Sequence, residues 1–178
     1  GPTNLRAARE LAASGHPGVF LCFGGETIPA RGARKRHTSD LRGFESLGIP
    51  GTTPRLAPAP LAPHPVEIIP AYPGAGRLLV DAAANSPASG LIIEAMGSGN
   101  MGEDMGRALA DALRTGLPVV ISTRTPYGPT ALAYGGDGGG ASLGKRGAIN
   151  AGWFRLCQAR ILLAAALATG TDSVELFA

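Results

Sequence analysis

Three short segments carry side chains suited to handling a small polar or charged ligand. Gly97-Ser98-Gly99-Asn100 leaves an apolar run at Leu91–Ala95 and leads into a segment of helical spacing from Met101. A loop so placed turns backbone N–H groups and the positive end of a helix toward an anion, with a hydroxyl and an amide beside them. A plain tight turn with Asn100 as helix N-cap has the same spacing, and the residues leave both readings open. Arg124-Thr125-Pro126 leaves a second apolar run, Pro118–Ser122, in the equivalent position. In an open parallel sheet, ligands sit beyond the carboxyl ends of such strands. The third segment holds Arg31, Arg34, Lys35, Arg36 and His37, so the net charge of +3 is largely local. A nucleic-acid surface spreads its cations over a face and interleaves aromatics. Aromatics are only 5% of this chain, so no nucleic-acid partner is expected. The stretch reads as a solvated loop, with a functional lysine inside it left open. Gly24-Gly25-Glu26-Thr27-Ile28 and Gly138 to Lys145 imitate a nucleophile turn and a phosphate loop; Arg146 after Lys145 breaks the phosphate-loop pattern, and both read as turns. Three scattered His and two distant Cys, Cys22 and Cys157, supply no ligand spacing. No metal site, disulfide or cofactor is expected.

The elements that must position these residues follow from periodicity. Leu5, Ala8, Leu11 and Ala12 mark a helix that Thr3 can cap and that Gly15 and Pro17 end. Val19–Phe23 is a buried strand, and Arg31 to Phe44 an ordered but irregular extension. From Leu47 to Pro65 six prolines interrupt every candidate element, which predicts an extended linker and a domain boundary. Beyond it come a strand at Val66–Ile69, a helix over 76–85, a strand at Leu91–Ala95 and a helix over 101–115 with Met101, Met105, Leu109 and Leu113 on one stripe. A strand at Pro118–Ser122, a loop rich in glycine over 135–140, a helix over 152–168 and a short helix capped by Thr171 or Asp172 complete the chain. Strands alternating with helices predict an α/β fold, a parallel sheet with flanking helices. With 27 Gly and 15 Pro in 178 residues many turns are expected, yet 44% hydrophobic content excludes a disordered chain. The longest apolar run, Ile161–Ala168, is too short to span a bilayer, so no membrane anchoring is expected. The N-terminus lacks an initiator Met and a signal-peptide layout, which favours a cytoplasmic location without fixing it.

The order of these segments resembles the bacterial-type L-asparaginases (the asparaginase/glutaminase family). Gly18–Phe23 followed by Ala30-Arg31, Lys35, Asp40, Phe44 and Ser46 is similar to the family's G-V-hydrophobic strand and A/G-R-x-x-x-K-x-x-x-x-D-x-x-x-F-x-S segment. Gly1-Pro2-Thr3-Asn4-Leu5 looks like its D-G-P-x-N-L helix start. The strand ending in Gly97-Ser98-Gly99-Asn100 is similar to its G-x-G-N. Pro118–Gly128 resembles its P-V-V-x-x-S-R-x-x-x-G with Thr123 for Ser, and Gln158-Ala159-Arg160 its K-A-R with Gln158 for Lys. The resemblance implies hydrolysis of L-asparagine to L-aspartate and ammonia by a threonine nucleophile, with some glutaminase activity. Lys35 stands at the position of the catalytic lysine that helps a Thr-Asp pair deprotonate the attacking hydroxyl. Asn100, with Gly99 and Ser98, stands where the family helps to bind the substrate of the adjacent protomer, in a homodimer or homotetramer.

The family's T-G-G-T-I and H-G-T-D-T motifs are absent from these residues; the one Thr-Asp dipeptide, Thr171-Asp172, has no His-Gly before it. Nor does an acid align at Ala133-Tyr134-Gly135, where many members place a Glu, so the resemblance leaves that contact in doubt. The resemblance therefore implies the C-terminal portion of a longer enzyme, inactive alone. Residues 1–48 would be the end of the catalytic N-terminal domain, 49–65 the Pro-rich linker and 66–178 the C-terminal α/β domain. Cut from the family's parallel sheet, residues 1–48 would expose apolar faces, and poor order or packing against another copy is expected. Two alternatives are an amidotransferase subunit that releases ammonia from glutamine for a tRNA-dependent partner, and a non-catalytic binding or assembly module that kept the fold.

Overall fold

A computed structural model describes residues 1–49, 51 and 54–177; Pro50, Thr52 and Thr53 of the Pro-rich stretch, and Ala178, lie outside the described residues. The chain forms two compact units, Gly1–Pro50 and Gly51–Ala178.

The first unit opens with α1 (Pro2–Ala13). Its first residue is a proline, whose fixed φ suits the first turn, so Thr3 lies inside the helix and no side chain caps it. Ser14 closes the helix by donating its hydroxyl to the Leu11 carbonyl at 2.7 Å, and Gly15 follows at φ 72°. The strand β1 (Phe20–Phe23) folds back on β2 (Glu26–Pro29) in an antiparallel hairpin. The two residues between them, Gly24 and Gly25, both have positive φ, 61° and 82°. That two-residue turn matches the natural twist of paired strands, and glycine adopts it without strain. Gly24 is required twice over, since a Cβ there would lie 1.9 Å from the Leu41 carbonyl oxygen. The extension expected to be irregular holds a second antiparallel hairpin instead, β3 (Ala33–Lys35) with β4 (Phe44–Ser46). No hydrophobic side chain of this unit is fully buried among the described residues; Leu5 is 73% exposed and Val19 77%.

The second unit is a four-stranded, wholly parallel sheet in the order β5 (Val66–Pro70), β6 (Gly90–Ala95), β7 (Val119–Thr123), β8 (Ile149–Asn150). The helices α2 (Leu78–Ala84) and α3 (Glu103–Arg114) connect the first three strands. A short helix α4 (Gly140–Gly144) precedes β8, and α5 (Leu156–Thr169) and α6 (Ser173–Phe177) close the chain. Val80, Met105, Leu109 and Leu143 pack on Leu91, Ile93, Val119 and Ile121, one face of the sheet. The opposite face meets α5: a Cβ on Gly90 would sit 2.7 Å from Leu163 Cδ2. Leu91, Ile92 and Ile93 are all completely buried, the sign of a strand covered on both sides. Burial of each contributes about 1.5–3 kcal/mol. Of the expected stripe, Met105 and Leu109 are buried and Leu113 half-buried on α3, whereas Met101, also buried, precedes the helix, which starts at Glu103 rather than 101. Helix α5 starts with Gln158 accepting from the Arg155 backbone N–H at 3.0 Å and stops at Gly170, φ 67°. Asp172 caps α6 by accepting from the Val174 N–H at 2.9 Å. Among the described residues no helix is long and apolar enough to cross a membrane.

Candidate active site

The two groups of candidate residues fall in different units. Lys35 ends β3 directly opposite Phe44 of β4. Its Nζ stands 4.7 Å from the centre of the Phe44 ring and 5.7 Å from that of Phe23. The two rings meet edge to face with centres 5.1 Å apart, so the ammonium rests on an aromatic corner built by β1 and β4. Gly43 keeps that corner open, because a Cβ there would come within 3.3 Å of Nζ and 2.7 Å of the Asp40 carbonyl oxygen. The neighbouring cations are committed elsewhere. Arg34 forms a half-buried ion pair with Glu45 at 2.5 Å, and Arg36 Nε donates to the Arg42 carbonyl at 2.9 Å. His37 Nδ1 accepts from the N–H of Asp40 at 2.9 Å and shapes the loop. Burial holds the Arg31 guanidinium below its ordinary pKa. The basic stretch is thus an ordered hairpin, in which the Lys35 ammonium lies against aromatic rings.

Ser98, Gly99 and Asn100 sit at the carboxyl end of β6, as the strand pattern predicts. The loop is closed by a small antiparallel bridge: Met96 N–H to the Asn100 carbonyl at 2.8 Å and Asn100 N–H to the Met96 carbonyl at 2.9 Å. The N–H of Gly99 also donates to Met96, and that of Met101 to Gly138. These donors are therefore engaged within the protein, and what the loop presents is the half-buried side chains of Ser98 and Asn100. Asn100 is not a helix cap, since α3 begins three residues later, behind Gly102. Its amide and the Ser98 hydroxyl make no side-chain hydrogen bond among the described residues.

Thr123, read in the sequence only as a stand-in for a motif Ser, and Arg155, which has no sequence signal, hold this edge. Thr123 Oγ1 donates to the Gly97 carbonyl at 2.5 Å and accepts from the Thr125 N–H at 3.0 Å, tying β7 to the β6 loop. Arg155 Nη2 donates to the Gly128 carbonyl at 2.7 Å and pins the segment after β7. Arg124 is exposed beside them. A separate open groove of about 670 Å³ runs along α3, lined by Arg77, Arg107, Asp111, Arg114, Asp137 and Arg146. Its charges largely satisfy one another: Arg77 with Asp81 and Asp111, Arg107 with Asp104 and Asp137, Arg114 with Asp111. The glycines of 135–140 let backbone approach backbone, since a Cβ on Gly138 would lie 2.2 Å from the Met101 carbonyl oxygen. The segment imitating a phosphate loop is in fact the first turn of α4.

Residues 65–177 match the Glutaminase/Asparaginase C-terminal domain, and residues 1–54 match the family described as Asparaginase, N-terminal. The chain is 34% identical over 198 residues to a probable L-asparaginase of Deinococcus radiodurans, covering 99% of this chain and 60% of that protein. It is 26% identical to an L-asparaginase of Bacillus licheniformis, covering 97% of this chain and 59% of the relative. The fold superposes with a TM-score of 0.81 on the crystal structure of a probable cytoplasmic L-asparaginase from Campylobacter jejuni, at 24% identity, covering 99% of this chain and 61% of that one. The chain thus spans about three-fifths of the length of the relatives it matches. With matches to both of the family's domains in their proper order, this chain belongs to the bacterial-type asparaginase family.

Proposed function

We propose that these residues are part of an L-asparagine amidohydrolase, converting asparagine and water to aspartate and ammonia. In this reading a threonine hydroxyl, carried by chain outside these residues, attacks the side-chain amide carbon. The tetrahedral adduct collapses with loss of ammonia, and water releases aspartate from the acyl-enzyme. Lys35 hydrogen-bonds the Thr-Asp pair that takes the hydroxyl proton. Asn100, Gly99 and Ser98 position the substrate of a neighbouring protomer in a homodimer or homotetramer. Residues 1–48 complete the catalytic domain, 49–65 link it, and 66–178 form the C-terminal domain. The observation that carries the reading is the Lys35 ammonium, fixed over Phe44 and Phe23 on a short hairpin without a carboxylate partner among the described residues. An amine so held is ready to serve a group supplied from elsewhere.

The test is ammonia release from L-asparagine. The 178-residue chain alone is expected to show none. Joined to the nucleophile-bearing segment it should turn over, and Lys35→Met should lower kcat by roughly 10²–10⁴-fold, the usual contribution of a group assisting proton transfer, with a smaller change in KM. Turnover by the chain alone, abolished by Lys35→Met, would overturn the division of the site between two segments.

A further inference from the structure

Between β7 and α4 the chain crosses the carboxyl edge of the sheet as an irregular strap, residues 124–139. Among the described residues, Leu132 in its middle is the one non-glycine residue with positive φ, at 46°. A leucine is rarely held there unless its side chain is needed in one place. That place is a socket made by glycines distant in sequence. A Cβ on Gly99 would lie 2.9 Å from Leu132 Cδ2, and one on Gly140 would lie 2.9 Å from Cδ2 and 3.0 Å from Cα. Gly144 borders Cδ1, where a Cβ would stand at 3.4 Å, and Leu132 packs against the core that includes Ile121. At the plug itself the strap grips the same loop: the N–H groups of Ala131 and Leu132 donate to the Ser98 carbonyl at 3.0 and 3.2 Å. The strap is anchored in turn by Arg155 at Gly128 and by the paired side chains of Thr130 and Asn150.

We propose that Leu132 is a positioning residue for Asn100, a plug whose insertion against Gly99 fixes the backbone from which the Asn100 amide reaches substrate; this rests on the substrate-binding reading of Asn100 given above. The Met96 bridge holds the loop from the strand side, and the strap holds it from above. Leu132→Gly relieves the backbone conformation while emptying the socket, so it separates the plug from the strain, and Leu132→Met refills the socket.

The first experiment uses the 178-residue chain and amide hydrogen exchange. Leu132→Gly should speed exchange at Gly99 and Asn100 by about tenfold or more, leaving Leu91–Ile93 unchanged, as a local opening does. Leu132→Met should restore protection. Unchanged exchange at Gly99 and Asn100, or the same acceleration throughout β6, would overturn the plug. The second uses the enzyme completed with its nucleophile-bearing segment. Leu132→Gly should raise KM for asparagine in the same direction as Asn100→Ala, with kcat less affected and Leu132→Met close to wild type. If Asn100→Ala raises KM and Leu132→Gly does not, the plug proposal fails. If the exchange result holds but neither variant changes KM, the plug stands and the substrate-binding reading of Asn100 fails.

Discussion

At the scale of single residues, the proposed chemistry rests on a lysine whose surroundings are aromatic. A ring face attracts an ammonium by about 0.5–1 kcal/mol at an exposed site, enough to favour one rotamer of a flexible side chain. The Phe44 contact at 4.7 Å is the closer of the two. A double-mutant cycle with Lys35→Met and Phe44→Leu, followed by denaturant unfolding of the hairpin, should therefore give a coupling energy of about 0.5–1 kcal/mol. Additive effects would mean that the ring merely lies beside the amine. The position of Lys35 was legible in the sequence through its spacing to Phe44, but its support was not. Phe23 joins the corner only because a glycine turn folds β1 onto β2, and no local pattern connects Phe23 to Lys35. Leu132 was invisible for the same reason. Its socket combines Gly99, Gly140 and Gly144, which meet only in three dimensions.

At the scale of elements, the long apolar strands β5, β6 and β7 were readable because buried parallel strands are continuous apolar runs bounded by Gly and Pro. The short strands were not. β8 has two residues and exists by pairing with Val120 and Ile121, and β3 (Ala33–Lys35) and β4 (Phe44–Ser46) are three residues each with a single apolar side chain, too little to show a period. Helix ends also depended on context, since Gly102 rather than Asn100 precedes α3. The outer faces of α2 and α3 are joined by charge. Asp111 accepts from Arg114 at 2.7 Å and from Arg77 at 2.9 Å, and these bonds hold its carboxyl below the usual carboxylate range. Hydrogen bonds to Asp111 and Asp81 in turn raise Arg77 above its ordinary value. A carboxyl with a lower pKa in the folded state than in the unfolded state stabilises the fold above its unfolded pKa. That contribution is lost as pH falls through the folded pKa. Wild type should therefore exceed Asp111→Asn in urea midpoint near neutral pH, and the gap should close in acid. All three groups are exposed, so high salt should also narrow it. A gap independent of both pH and salt would assign the effect to packing.

At the scale of the whole molecule, the two units differ in what holds them together. The C-terminal unit encloses a continuous core around Leu91, Ile93, Leu109 and Ile121, all fully buried, between helices on both faces of its sheet. In the N-terminal unit only Gly32 and Gly43 are buried among the described residues, and neither contributes apolar side-chain area. Hydrophobic burial is the main favourable term in folding, so hydrogen bonds and aromatic contacts must maintain β1 to β4 with little help from a core. Amides of Phe20–Phe23 should then exchange orders of magnitude faster than those of Leu91–Ile93 in dilute solution, because local opening is easiest where few apolar contacts are lost. Protection of Phe20–Phe23 that rises with protein concentration would show this unit packing on another copy. Strong protection at every concentration would show the hairpins to be stable alone and would defeat the expectation of poor order. The outcome bears on the proposed catalytic reading, because Lys35 belongs to the weakly buried unit whereas Asn100 stands at the end of a strand in the well-buried sheet. On a hairpin without a core the aromatic corner that seats the Lys35 amine is only weakly buttressed, and further chain or a second protomer covering that hairpin would hold it more firmly. The same binding event that brings a nucleophile to Lys35 would then also order the lysine.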